Sequence, residues 1–114
     1  MVPSSAGAVV LVAFPFSDLT QTKVRPAVVL AGIGRGDWVL CQITSNSYSD
    51  KRAVLLDDGS FIAGSLRLAS YARPGKLFTA NVSSISSEVG ILSPAAFRQV
   101  IAAVVALIQP KANI

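Results

Sequence analysis

Two apolar, β-rich runs, Arg25 to Ala31 and Trp38 to Thr44, flank the segment Gly32, Gly34, Arg35, Gly36 and Asp37. Glycine-rich polar punctuation between two such runs is a hairpin pattern, so the runs are predicted to pair antiparallel. That pairing would bring Arg25, at the start of one strand, and Thr44, at the end of the other, to the same open end.

The rest of the chain is organised around similar short pieces. Ala8 to Phe14 is a valine-rich run that meets Pro15, as expected of a buried strand ending at a proline. Phe16 to Lys23 is polar and reads as a loop long enough to cover a ligand. Val54 to Leu56, Phe61 to Ile62, Leu66 to Tyr71 and Lys76 to Asn81 are further strand-like pieces, divided by Asp57-Asp58-Gly59, Gly64 and Pro74-Gly75. Val82 to Ser87 is read as a short helical turn. Ser93 followed by Pro94 is a helix start, and the helix is predicted to run to about Ile108 and stop before Pro110. Phe97, Ile101, Val104 and Ile108, flanked by Val100 and Leu107, form its expected core face. The opposite side, Ala95, Gln99, Ala102, Ala103 and Ala106, reads either as a second contact or as exposed helix-favouring alanines.

Many short strands with glycine and proline turns, followed by one helix, predict a mainly β protein, a small barrel or packed sheets, with a C-terminal α-helix. A length of 114 residues suits one domain, placed at 7–109, with a flexible tail at 1–6 and a second at 110–114. Hydrophobic residues at 52% against 14% charged ones exclude a largely disordered chain. The longest apolar stretches, Ala8 to Phe16 and Val100 to Ile108, are shorter than the roughly 20 residues of a membrane span. No basic residue precedes the first of them, unlike a signal peptide, and a cytoplasmic location is expected.

Chemistry is constrained by what is missing. The chain has no histidine, which removes histidine-based acid–base pairs and the Ser-His-Asp triad. Cys41 is the single cysteine and lies in an apolar run, so it is read as a buried thiol. One cysteine and six scattered acids do not make a zinc site, and Asp57-Asp58 read as turn residues. GIGRG leads from one strand into another instead of into a helix, unlike a dinucleotide fingerprint. No metal or cofactor is expected.

Cations and hydroxyls remain. The net charge of +4 suits an anionic partner. Arginine offers a planar, permanently charged fork for two phosphate oxygens, and a threonine hydroxyl adds a hydrogen bond where charge develops. Arg25 with Thr44 could therefore stabilise the phosphorane formed when an RNA 2′-hydroxyl attacks its neighbouring phosphate. The plainer readings are a strand-end arginine paired with Asp18 or Asp37 and a β-favouring threonine.

GAVVLVAFPFSDLTQTKVRPAVVL, VLCQITS, SLRLASYARPGKLFT and VGILSPAAFRQVIAAVVALI, in that order, resemble the MazF/PemK toxins of toxin–antitoxin modules from about Gly7 to Ile108. The resemblance implies a β-barrel related to SH3 (CcdB/MazF-like) with a C-terminal helix, a homodimer, and sequence-specific, metal-independent cleavage of single-stranded RNA. It makes Arg25 and Thr44 the catalytic pair and the loop Phe16 to Lys23 a lip over the RNA. Phe16, Asp18, Thr20, Lys23, Ser45, Arg67, Ser70 and Arg73 are the expected substrate contacts. Phe16 is the expected base-stacking platform, and Lys76 extends the basic groove with Arg73. Phe14 could instead place both phenylalanine rings in the core. One branch of the family follows the basic residue at the Arg67 place with an aspartate two positions on; here that position is Ala69. A cognate MazE-like antitoxin with an acidic segment is the implied partner. The competing functions are a CcdB-like gyrase inhibitor without nuclease activity and a non-catalytic nucleic-acid-binding barrel.

Overall fold

The computed structural model describes residues 1–15 and 22–109, which contain seven strands, the central ones built from unbroken runs rich in valine and leucine. They are β1 (Ala8–Pro15), β2 (Thr22–Gly34), β3 (Asp37–Thr44), β4 (Val54–Leu56), β5 (Phe61–Gly64), β6 (Ser70–Asn81) and β7 (Ile85–Leu92). All pair antiparallel in one sheet of order β4-β6-β3-β2-β1-β7-β5, and α1 (Pro94–Ile108) follows.

The two edge strands are consecutive in the chain, and this forces the sheet to curl. From Leu56 to Phe61 the backbone spans at most about 18 Å. Seven strands laid flat at about 4.8 Å spacing would set their edges roughly 29 Å apart. The sheet therefore wraps toward a half-barrel, a mainly β fold with a C-terminal helix as expected from the sequence. The hairpin between β2 and β3 turns at Arg35 and Gly36, whose φ of 58° and 77° are the positive pair that a type I′ turn requires.

Both faces of the central strands are buried, which explains the unbroken apolar runs. On one face Val9, Val28, Cys41, Ile43, Leu56 and Leu92 pack with Ala96 and Val100 of α1. On the other, Val10, Val12, Ala27, Val29, Leu40, Ala80 and Ile85 form a second core. The helix is capped as predicted: Ser93 Oγ accepts the Ala96 N–H at 3.1 Å, with Pro94 in the first turn. Its expected face is largely the buried one: Val100 and Val104 are buried, Phe97 packs on the first core, and Ala96 joins them, whereas Ile108, expected on that face, is 67% exposed. The small Ala96 allows close approach to the sheet, whereas the last turn extends past it.

Other expectations are corrected by tertiary pairing. Lys23, expected in the loop, lies in β2 opposite Phe14. The piece Leu66 to Tyr71 is not a strand over its first four residues; β6 starts at Ser70 and continues through Pro74-Gly75, which form a bulge instead of a turn. Only Val82–Ser84 form the 3-10 turn, and β7 follows at once, its polar Ser86, Ser87 and Glu88 having hidden a strand held between β1 and β5. In the segment 1–6, expected as a tail, Pro3 is buried and Ser4 donates from its backbone N and its Oγ to the Glu88 carboxylate at 2.8 and 2.7 Å. The segment 110–114 lies outside the described residues.

Leu56, fully buried on an edge strand, tests the core. Leu56→Ala should lower the unfolding free energy by about 2–5 kcal/mol in urea titrations.

Candidate active site

Arg25, Gln42 and Thr44 sit on the same sheet face as the second core, where that face runs out of apolar residues. Val12 pairs with Arg25 and Ala27 with Gln42. Continuing the β2–β3 register by two residues brings Arg25 opposite Thr44. Together with Phe14, Tyr48, Arg73 and Lys76 they line a cleft of about 310 Å³. Arg25 is half-buried and Thr44 only 8% exposed. Thr44 Oγ1 accepts the Asn46 N–H at 3.3 Å, which leaves its O–H able to donate into the cleft.

The far wall is built by the bulge in β6. Cys41 pairs with Leu77 but Ile43 with Ala72, so Arg73, Pro74, Gly75 and Lys76 stand against Gln42 alone. Pro74 has no N–H for the ladder, and both cations of the bulge turn into the cleft. The bulge is anchored by Cys41 Sγ, which donates to the Arg73 carbonyl at 3.1 Å. It is anchored again by Arg73 Nε, which donates to Asp50 Oδ2 at 3.2 Å. The backbone N–H of Arg52 holds the Asp50 carboxyl below its usual range; burial opposes it, and the hydrogen bond and charge of the Arg73 guanidinium add to the lowering. The Arg73 guanidinium carbon also lies 5.2 Å from the centroid of the Tyr48 ring.

Arg25, Arg73 and Lys76 thus face a hydroxyl, an amide and two aromatic rings, with no carboxylate among the described lining residues. Such a cleft attracts a polyanion and offers flat surfaces beside it. Among the described residues no group of three or more His, Cys, Asp or Glu side chains could hold a metal ion, and no helix is long and apolar enough to cross a membrane.

The sequence profile of PemK-like, MazF-like toxins of type II toxin–antitoxin systems matches residues 5–108. This chain belongs to that family. No curated protein matches the sequence. Among solved structures, the fold is similar to a MazE–MazF complex from Deinococcus radiodurans, with 18% identity, a TM-score of 0.76, and coverage of 97% of this chain and 99% of that one. It is also similar to an endoribonuclease in complex with its cognate antitoxin from a mycobacterial species, with 16% identity, a TM-score of 0.71, and coverage of 97% and 99%. Mycobacterium tuberculosis toxin MazF-mt6 gives 16% identity, a TM-score of 0.71, and coverage of 91% and 98%. At these identities the likeness concerns the fold.

In this PemK-like protein Arg25, Thr44 and Arg73 meet in one cleft, and Lys23 lies two residues from Arg25 on the same face of β2, exposed. Ser45 is exposed just past β3. Arg67 and Ser70 are elsewhere: they line a groove of about 380 Å³ with Leu11, Pro26, Leu66 and Leu68, on the opposite sheet face, where Ser70 Oγ donates to the Leu68 carbonyl at 2.9 Å. Phe16, Asp18 and Thr20 lie outside the described residues. Phe14, weighed as a core residue, stacks obliquely on Phe78 with ring centroids 4.5 Å apart and also borders the cleft. Sequence reasoning missed Gln42 and Tyr48. Gln42 could have been found from the alternation Leu40, Gln42, Thr44, whereas Tyr48 sits in a segment without periodicity.

Burial pushes the Cys41 thiol up to about 12. Its unfolded counterpart ionises near 9.0, so the folded state holds the proton longer. That contribution to stability is complete below this value and is lost as pH rises from about 9 to about 12. At about pH 8 iodoacetamide should leave the native protein unlabelled and alkylate the urea-unfolded chain fully, as read by intact mass.

Proposed function

We propose that this protein is the toxin of a type II toxin–antitoxin pair and acts as a sequence-specific, metal-independent endoribonuclease on single-stranded RNA, an mRNA interferase. The observation that carries this reading is the register-matched approach of Arg25 and Thr44 in a cleft lined by Arg73 and Lys76. Family membership and a relative described as an endoribonuclease support it.

In the proposed reaction the RNA 2′-oxygen bonds to the adjacent phosphorus and the bond to the 5′-oxygen breaks, leaving a 2′,3′-cyclic phosphate and a 5′-hydroxyl. The 2′-hydroxyl loses its proton and the departing 5′-oxygen gains one. Negative charge grows on the non-bridging oxygens in between. Arg25 meets that charge with two parallel N–H donors, and the Thr44 hydroxyl adds a third donor from a nearly buried position, where it costs little reorganisation. Arg73 and Lys76 bind flanking phosphates and set the strand's register. In this reading the partner in the cell is a cognate antitoxin, a pairing supported by the similar MazE–MazF complex, and the toxin works in the cytoplasm as a homodimer.

Purified protein should cut single-stranded RNA in excess EDTA. Arg25→Ala should abolish cutting with an unchanged circular dichroism spectrum, and Thr44→Val should lower kcat about 100-fold. Intact RNA in the presence of folded, growth-arresting protein would refute the ribonuclease reading and favour a gyrase-inhibitor type of poison.

A further inference from the structure

The chain between Thr44 and Val54 has no regular structure, yet it is tied at almost every step. Asn46 Oδ1 accepts the Tyr48 N–H at 2.8 Å, the Ser47 carbonyl accepts the Asp50 N–H at 2.9 Å, and Asp50 Oδ1 accepts the Arg52 N–H at 2.9 Å. The Asp50 carbonyl closes the segment by accepting the Ala53 N–H at 3.1 Å. Within it Tyr48 and Ser49 hold φ of 53° and 59°, in the left-handed region that side-chain-bearing residues seldom adopt. The consequence is an aromatic residue that is 64% exposed on a backbone that is held in place. It borders the cleft of Arg25 and Thr44, with the guanidinium of Arg73 near it and Asp50 fixing that guanidinium.

Phosphate binding accounts for the cations of this cleft but not for an exposed ring set among them. A nucleobase does: every base has a π-face, stacking on an aromatic side chain is tolerant of sequence, and a guanidinium near the ring adds to it. Resting on the single-stranded RNA reading above, we propose that Tyr48 is a base-stacking platform for a nucleotide next to the scissile phosphate. Asp50 is its positioning residue, acting through Arg73. Tyr48 takes this role from a loop in which the sequence pointed to no site.

Two probes separate base from backbone: a mixed-sequence RNA oligomer with 2′-fluoro in place of every 2′-hydroxyl, which cannot be cut by 2′-oxygen attack, and an oligomer of the same length with abasic sugars throughout. Tyr48→Ala should weaken binding of the first about tenfold and leave the second unchanged, while Tyr48→Phe stays within about twofold of the parent on both. Tyr48→Trp should gain fluorescence quenching with the 2′-fluoro oligomer that the abasic one does not produce. Asp50→Ala should narrow the preference for the 2′-fluoro oligomer over the abasic one several-fold, whatever freeing Arg73 does to backbone binding on both, and Asp50→Asn, which keeps an acceptor for Arg73, should restore part of that preference. Equal binding by Tyr48→Ala and the parent, or an equal loss on both oligomers, overturns the platform and leaves the ribonuclease reading intact. A parent protein that binds neither oligomer and cuts no RNA overturns both.

Discussion

A slip of one residue between β2 and β3 would turn Arg25 and Thr44 to opposite faces of the sheet, because side chains alternate along a strand. The slip is blocked from both sides. Val28 and Cys41 are paired under α1, while Ala27, Val29 and Leu40 belong to the core on the other face. Moving β3 by one would bury Gln42 among the helix-facing apolar groups and leave an amide without partners, and moving β2 by one would turn Arg25 to that face. The tight turn at Arg35-Gly36 fixes the same register from the hairpin end. Placement of the candidate catalytic pair thus depends on hydrophobic packing that never touches a substrate.

Curling assigns separate tasks to the two faces. The helix covers one, where Ala96 and Val100 meet the first core. The other begins as a second core and ends as the cleft, so Thr44 is nearly buried and polar at once. A hydroxyl at such a boundary is held still by its neighbours and shielded from bulk water, the setting in which a single hydrogen bond to a developing charge has most effect.

Elements whose pattern is local were legible in the sequence. The β2–β3 hairpin is marked by its glycines, α1 by Ser93-Pro94, and the meeting of Arg25 with Thr44 follows from strand pairing alone. Features decided by distant partners were not. β7 carries Ser86, Ser87 and Glu88 and is a strand because β1 and β5 lie on either side of it. Pro74-Gly75 reads as a turn in isolation and becomes a bulge because β3 runs past it. On α1 the pattern marks Val100, Val104 and Phe97 but not Ala96, whose small size carries little hydrophobic signal although it sits against the sheet. Tyr48 carries no sequence signal for a similar reason: its place depends on the hydrogen bond its N–H donates to Asn46 Oδ1 and on an arginine 25 positions away in the chain.

The bulge at Arg73–Lys76 interrupts the ladder without spoiling it, since β3 and β6 are paired normally on both sides. Arg73 and Lys76 supply the cationic wall of the cleft, while Pro74 between them is fully buried and Cys41 holds the Arg73 carbonyl. One short irregularity thus faces two ways: its proline is part of the packed interior and its cations belong to the cleft. A change of charge at either flank would alter the cleft wall, whereas a change at the proline between them would be felt by the fold.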